Sequence, residues 1–185
     1  MKPKMIVMMG GQGTGKGTHA RTLIERDGYK YLEMGAILRG LAPESHLAQI
    51  MARGELVPDS DLFDLVSAEI TDDSDIILDG FPRTIGQAQW LVEKFADRFD
   101  IRIVFLNVPE SIMLARIENR LRTVGGRADD ADPAIVRRRL DSFWKTTMPA
   151  IEWLRTAHGV KFTDVDVSAE DVNVNFARVS AAIAD

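Results

Sequence analysis

A glycine-rich stretch near the N-terminus has the residue types and spacing of a phosphate-binding loop. Residues 5–18 read MIVMMGGQGTGKGT, so an apolar run leads directly into a segment with five glycines, a lysine and two threonines. Glycine permits positive φ and leaves room for a ligand to approach the backbone. Backbone N–H groups at such a turn, followed by a helix N-terminus, attract phosphate. The segment from Gly10 to Lys16 matches G-x-x-x-x-G-K, with Gly17 placed before the hydroxyl of Thr18.

A second motif, DGFPRT at residues 79–84, combines a carboxylate with an arginine. Asp79 ends an apolar run, so we expect its carboxylate at the mouth of a sheet. It could hold Mg²⁺ there, directly or through water, because Mg²⁺ takes one or two carboxylates together with phosphates. The alternative is that Asp79 caps a turn with Gly80. Arg83 follows a rigid Phe-Pro pair, and its planar guanidinium suits bidentate phosphate binding.

Positive charge recurs in the second half of the chain. The arginines concerned are Arg116, Arg120, Arg122, Arg127, Arg137, Arg138 and Arg139. Each one alone is typical of a solvated surface charge, but together they could supply the positive field that a polyphosphate requires. Phosphoryl transfer depends mainly on positioning and charge neutralisation, which such a set provides. The histidines are scattered and are interpreted as surface residues: His19, His46 and His158.

Length and composition indicate one globular domain. The chain has 185 residues, 45% hydrophobic residues, a net charge of −5 and no cysteine. Disulfides and thiolate metal sites are therefore excluded, and the charge gives no reason to expect nucleic acid as a partner. No apolar run approaches the length of a membrane span, so we expect a soluble cytoplasmic protein with no membrane association.

Apolar runs of strand length alternate with helical patterns along the chain. The predicted strands are 5–9, 29–34, 75–78, 101–108 and 160–167. This alternation predicts right-handed βαβ units and a parallel sheet with helices on both faces. Ligands bind at the carboxyl ends of such strands, where both motifs fall. That position favours a phosphate site over a glycine-rich turn without a ligand.

Two helices of the second half make specific predictions about burial. The helix that begins at Asp132 and Pro133 has an apolar stripe that includes Trp144, and Pro149 is expected to kink or divide it. The final helix is expected to bury Val172, Phe176, Val179 and Ile183.

Taken together, these motifs resemble the adenylate kinase family of nucleoside monophosphate kinases over nearly the whole chain. Residues 10–18 are similar to the family's phosphate loop, in which glycine after the lysine is usual. Residues 79–84 resemble its signature, and residues 54–59 resemble the segment that closes its monophosphate-binding flap. Residues 126–130, with Arg139 behind them, look like a short lid without zinc ligands.

The resemblance implies a P-loop NTPase-type three-layer α/β fold with a five-stranded parallel sheet. One kinase domain would span 1–185, with a small helical monophosphate-binding insert at 34–63 and a short lid at 121–133. The implied reaction is ATP + NMP ⇌ ADP + NDP with Mg²⁺. Relatives with a short lid are usually monomers, so a monomer is expected.

The resemblance also implies a role for each matching residue. Lys16 would follow the transferred phosphoryl group, and Asp79 would orient the waters of Mg²⁺. The catalytic set is Lys16, Asp79, Arg83, Arg127 and Arg139, of which the last two would bridge the phosphates on closure. The ATP-binding set is Gly11, Gly13, Thr14, Gly15, Lys16, Gly17, Thr18, Arg116 and Arg120. The monophosphate-binding set is Met34, Gly35, Arg39, Leu56, Val57, Gly80, Arg83 and Gln87.

Some positions depart from the family pattern. The family usually has proline at the position of Gln12, and Ser/Thr-Gly-Asp where this chain has residues 34–36, Met-Gly-Ala. Thr84 and Gln87 favour AMP as the acceptor, whereas the methionine leaves UMP, CMP or a deoxynucleotide open. Single-residue insertions around the lid leave Arg138 as an alternative to Arg139. A nucleotide-binding regulatory protein with weak catalysis is the competing class.

Overall fold

A computed structural model describes residues 2–53, 55, 57–71, 74–123 and 130–184. Its centre is a parallel five-stranded sheet in the order β2-β3-β1-β4-β5. The strands are β1 (Lys4–Met9), β2 (Lys30–Glu33), β3 (Ile76–Asp79), β4 (Asp100–Asn107) and β5 (Val160–Asp166). The parallel five-stranded sheet expected from the sequence is therefore confirmed.

Helices follow every strand, in the order that parallel connections require. They are α1 (Lys16–Asp27), α2 (Met34–Arg39), α3 (His46–Ala52), α4 (Asp59–Glu69), α5 (Ile85–Phe95), α6 (Glu110–Arg122), α7 (Pro133–Ser142), α8 (Met148–Thr156) and α9 (Val172–Ala184). The chain moves one way across the sheet from β1 to β2, and the other way from β3 to β4. Because such crossovers are right-handed, α1 and α5 cover opposite faces.

The core lies between the sheet and these two layers of helices. Strand β1 is buried along residues 5–9, as expected for a strand covered on both faces. Ala20 and Leu23 of α1 are fully buried. Leu91 of α5 is also fully buried, and Phe95 of the same helix is 1% exposed. The apolar faces of these helices that the sequence predicts therefore pack against the sheet.

Strand register sets which side chains meet at the carboxyl edge. Met8 of β1 lies beside Asp79 of β3, and Asp79 lies beside Glu33 of β2. The glycine loop therefore leaves the sheet next to the end of β3. This register joins the two sequence motifs, which are more than sixty residues apart in the chain.

Two burial predictions are wrong. Residues Phe143–Thr147 form a π-helical turn that buries Phe143 and Thr147, whereas Trp144 is 41% exposed and donates from its indole N–H to the Glu110 carboxylate. Pro149 lies in the first turn of the helix that follows this π-turn. Val172 is 49% exposed because it begins α9 at the rim of the sheet, and Asn175 takes the buried position one turn later.

Within the described part of the chain, no helix has both the length and the apolar character needed to cross a membrane.

Candidate active site

A cleft of about 850 Å³ opens at the carboxyl edge of the sheet. It gathers most of the residues singled out in the sequence, which lie far apart along the chain. Those that line it are Gly11, Gly13, Thr14, Gly15, Lys16, Gly17, Thr18, Met34, Gly35, Arg39, Val57, Asp79, Gly80, Arg83, Arg116, Arg120 and Arg139. Leu56 and Arg127 lie outside the described residues.

The phosphate loop curls from the end of β1 to the start of α1. Gly13 has φ 81° and Gly15 has φ 93°, a region that other residues rarely adopt. A Cβ on Gly13 would also lie 2.5 Å from the carbonyl oxygen of Met113, so this turn requires glycine twice over. The hydroxyl of the buried Thr14 donates to the Gly11 carbonyl at 2.9 Å and closes the curl.

Lys16 begins α1, and its ammonium turns back over the loop. Its Nζ donates to the carbonyl oxygens of Gly10 at 2.7 Å and Gly11 at 3.0 Å. The first turn of α1 contains no acidic residue, so the partial positive charge of the helix N-terminus is not neutralised from within. Loop, lysine and helix end therefore present positive potential to the same part of the cleft.

Asp79 is 5% exposed and is held by a neighbour that sequence reasoning missed. The hydroxyl of Tyr31 in β2 donates to Asp79 Oδ2 at 3.0 Å. Burial raises the pKa of Tyr31 far above its usual value, and the charges of Asp79 and Glu33 add to this shift. Tyr31 therefore stays protonated and acts as a fixed donor. The sequence could not reveal it, because the adjacency of β2 and β3 is a property of the sheet order.

Two arginines face the cleft on the side opposite the phosphate loop. Arg83 Nε donates to the Gly80 carbonyl at 2.8 Å, and a Cβ on Gly80 would lie 3.2 Å from Arg83 Nη2. Arg39 Nη2 pairs with Glu33 Oε1 at 2.8 Å. Both guanidinium groups are thus oriented by the protein and could bind a second phosphate group.

The arginines of the second half divide into cleft and surface positions. Arg116 Nη2 donates to the Val167 carbonyl at 2.8 Å, which fixes its side chain at the rim near β5. Arg120 and Arg139 both pair with Asp130, whose carboxylate is fully buried, and the Arg139 Nη1 to Asp130 Oδ1 distance is 3.3 Å. Arg138 is exposed and donates instead to the Arg53 carbonyl.

The sequence is similar to those of known proteins. The family model described as adenylate kinase matches residues 8–158. An adenylate kinase of Thermus thermophilus is 33% identical over 185 residues, covering 96% of each chain. One from Parvibaculum lavamentivorans is 38% identical over 177 residues, covering 86% of each. One from Porphyromonas gingivalis is 35% identical over 159 residues, covering 80% of each.

The chain belongs to the adenylate kinase family. It is therefore an enzyme, an ATP-dependent nucleoside monophosphate phosphotransferase, with the P-loop NTPase-type fold of that family. The match covers the phosphate loop from Gly10, the DGFPRT segment and the arginines of the second half.

Gln87, which the resemblance predicts to bind the monophosphate, does not line the cleft. Gln87 is fully buried; its Oε1 accepts from the Arg83 backbone N–H at 2.7 Å, and its Nε2 donates to Asp59 Oδ1 at 2.7 Å. Thr84 caps α5 and donates to the other oxygen of Asp59 at 3.0 Å. Gln87 therefore connects the start of α4 to Arg83.

The interpretation of His19 as a surface residue is wrong. It is 3% exposed, lines the cleft and stacks on Phe176 with ring centroids 6.3 Å apart. Burial lowers its pKa below the usual 6.5, and the nearby charge of Arg116 lowers it further. Its Nδ1 has no hydrogen-bond partner among the described residues. Its i, i+4 spacing to the buried Leu23 places it on the inner face of α1, but nothing local indicates that Phe176 of α9 covers the ring.

The residues present fit a magnesium ion that is held mainly by nucleotide phosphates and water. Among the described residues, no group of three His, Asp or Glu side chains is placed to hold a metal. Asp79 instead offers one oriented carboxylate beside the phosphate loop. Mg²⁺ commonly uses one or two carboxylates together with phosphates and retains several waters.

Proposed function

We propose that this enzyme transfers the γ-phosphoryl group of ATP to AMP in a reversible reaction that yields two ADP. The observation that carries the proposal is that a single cleft joins the loop around Lys16 to Arg39 and Arg83, with Asp79 between them. One phosphate group would lie on each side, as transfer between two nucleotides requires.

The protein would act mainly by positioning and by charge. Loop N–H groups and Lys16 would hold the phosphates of ATP, while Arg39 and Arg83 would hold the monophosphate. Arg120 of α6 and Arg139 of α7 would approach the transferred group from the side of these two helices. Dipoles and charges held in place before the reaction stabilise the transition state without reorganisation. From the family resemblance we also assign Arg127 to the phosphates, and Leu56 and Val57 to the acceptor.

We propose that Asp79 holds the water shell of Mg²⁺, with Tyr31 fixing the orientation of the carboxylate. The ion, when bound, would neutralise charge on the phosphate oxygens. Asp79 and Tyr31 would contribute orientation, and neither would exchange a proton with substrate.

AMP is the acceptor that the sequence features favour. Thr84 and Gln87 match the adenylate kinase pattern, and the relatives named above are adenylate kinases. The alternative acceptor, UMP, CMP or a deoxynucleotide, is motivated by Met34, which is 1% exposed and lines the cleft.

A panel of natural ribo- and deoxyribonucleoside monophosphates, each assayed with ATP and Mg²⁺, tests the acceptor. We expect AMP to give the highest kcat/KM, and Lys16→Ala and Arg83→Ala each to lower kcat by roughly 10²–10³-fold. A higher kcat/KM for UMP or CMP would replace AMP as the acceptor. No turnover with any monophosphate would contradict the proposal itself.

The regulatory alternative makes a different prediction. It requires ATP binding of ordinary affinity, measured by calorimetry, together with negligible ADP formation. The aligned charges of Lys16, Asp79 and Arg83 in one cleft favour the enzyme.

We further propose that residues 34–63 and 121–133 close over the substrates as a flap and a lid within one kinase domain. Closure would exclude water, which otherwise competes for the phosphoryl group. By resemblance to short-lid enzymes we propose a cytoplasmic monomer. Light scattering coupled to size-exclusion chromatography would test the oligomeric state.

A further inference from the structure

The tip of the phosphate loop lies between the two helices that flank residues 121–133. On one side, a Cβ on Gly13 would lie 2.5 Å from the Met113 carbonyl oxygen, and one on Gly11 would lie 2.8 Å from Met113 Sδ. On the other side, Gln12 Nε2 donates to the carbonyl oxygen of Val136 at 2.7 Å. The loop therefore packs directly against α6 and is hydrogen-bonded to α7.

The bond from Gln12 joins residues 124 positions apart. It is partly buried, so water competes with it weakly. The acceptor is a backbone carbonyl of α7, so it can move only when the helix moves. A side-chain acceptor could instead rotate away from the bond. The other polar atom of the amide, Oε1, is buried and has no hydrogen-bond partner among the described residues. The Gln12 amide is thus oriented by the single bond to α7.

One turn beyond Val136, the same helix carries Arg139. Arg139 pairs with the buried Asp130, which also pairs with Arg120 of α6. A rotation or shift of α7 would move this guanidinium relative to Lys16, although both lie in the same cleft. The bond from Gln12 opposes that shift at the point where the loop and the helix meet.

We infer that Gln12 is a positioning residue, which ties α7 to the phosphate loop and thereby places Arg139 against the phosphates. The expected change in kcat rests on the proposed function. The position of α7 relative to the phosphate loop does not depend on it. Proline, usual here in the family, could not make this bond, because its side chain has no donor.

Gln12→Met tests the role, because methionine has a similar length but no donor. We expect kcat to fall about three- to tenfold, as for the loss of one hydrogen bond that acts in the transition state. We expect KM for the monophosphate to stay within about twofold, because Arg39 and Arg83 are not touched. An unchanged kcat would overturn the inference. If Gln12→Met folds poorly by circular dichroism, Gln12→Leu serves instead, since it is uncharged and also lacks the donor.

A double-mutant cycle asks whether Gln12 acts through Arg139. In an Arg139→Ala background, we expect Gln12→Met to change kcat less than twofold, because the group that it positions is gone. In an Arg138→Ala background, the full effect of Gln12→Met should persist, because Arg138 is exposed and does not line the cleft. Equal effects in both backgrounds would contradict a role through Arg139.

A distance measurement tests the tie without any turnover. The chain has no cysteine, so spin labels can be attached at Glu25→Cys in α1 and Ala134→Cys in α7, both exposed positions. By double electron–electron resonance, we expect one narrow distance distribution with Gln12 and a broader or shifted one with Gln12→Met. Identical distributions would overturn the inference. If the protein with Gln12 transfers no phosphoryl group, the proposed function fails, and this measurement still decides the structural claim.

Discussion

His19 links the stability of the protein to pH near neutrality. Its pKa is lowered in the folded state by burial and by Arg116, so the unfolded chain binds this proton more readily. Around the ring lie Arg116 of α6 and, across Phe176, Arg26 of α1. The contribution of His19 is therefore fully present above the unfolded pKa of 6.5, and it is lost as pH falls below that value.

We predict that His19→Gln reduces the acid sensitivity of folding. The free energy of unfolding, measured by urea denaturation between about pH 7.5 and about pH 5, should fall less steeply in the variant than in the parent protein. His158→Gln, at an exposed position, is the matched control and should leave the slope unchanged. Parallel curves for His19→Gln and the parent would show that the buried ring does not titrate in this range.

Tyr31 is the second residue whose importance depends on its surroundings. We predict that Tyr31→Phe lowers kcat about three- to tenfold and raises the Mg²⁺ concentration needed for half-maximal rate, because Asp79 loses its hydroxyl donor. A magnesium titration at saturating nucleotide measures both effects. Tyr29→Phe is a suitable control, since Tyr29 does not line the cleft. An unchanged magnesium dependence would argue against a role for Asp79 with the ion.

At the scale of elements, the phosphate loop shows how a turn can be fixed by what packs behind it. We predict that Gly13→Ala costs about 1–3 kcal/mol of unfolding free energy and weakens ATP binding, because the new Cβ combines positive φ with a clash against Met113. Gly28→Ala separates the two causes: φ at Gly28 is 75°, and a Cβ there would meet nothing within 4 Å.

Urea denaturation and calorimetric ATP titration of both variants test this prediction. Gly28→Ala should cost only the strain of positive φ, about 1 kcal/mol, and should leave ATP affinity unchanged. Equal losses of stability in the two variants would mean that the loop shifts away from α6 at little cost.

The elements that sequence could predict are those with a clear period or a strong stop. The strand β1, the N-cap at Asp132 and the helix α5 all follow local rules. The π-helical turn at Phe143–Thr147 does not, because a one-residue insertion in a helix leaves no local signature. Within this turn Phe143 and Thr147 are buried and Trp144 is exposed, which an α-helical period does not predict.

The site could be predicted only as far as its motifs extend. The loop around Lys16 and the segment around Asp79 and Arg83 are readable, because their residue types are dictated by phosphate chemistry. Tyr31 and His19 are not, since each depends on an element that is brought near by sheet order or by the packing of α9. Contacts between residues that are far apart in the sequence become visible only in the folded structure.

At the scale of the whole molecule, an acidic protein concentrates positive charge in one cleft. The net charge is −5, yet the cleft is lined by Lys16 and several arginines. Asp130 balances the charge of two of these arginines, because its buried carboxylate pairs with Arg120 and Arg139. The lack of water around the carboxylate strengthens the attraction between it and the two guanidinium groups. Phosphate oxygens would compete with this carboxylate for the same guanidinium groups.

We predict that Asp130→Asn lowers the thermal midpoint measured without nucleotide, because two cations lose their buried partner. The increase in midpoint caused by ATP should become larger than in the parent protein, since the phosphates then supply the missing negative charge. Thermal unfolding with and without ATP provides the measurement. A smaller ATP-induced increase would mean that the carboxylate is needed to orient the arginines. Asp97→Asn, at an exposed position outside the cleft, is the control.

The ammonium of Lys16, bonded to two carbonyls of its own loop, has a consequence for the choice of anion. An anion that displaces these carbonyls must accept from Lys16, and a chain of phosphoryl groups can also accept from more of the loop N–H groups than a single phosphate can. We therefore expect a length filter: tripolyphosphate should compete with ATP strongly, pyrophosphate less, and orthophosphate hardly at all. Inhibition constants measured in that series would show whether affinity rises with the number of phosphoryl units, and equal constants would contradict the expectation. Such selectivity would keep inorganic phosphate from competing with ATP at the phosphate loop.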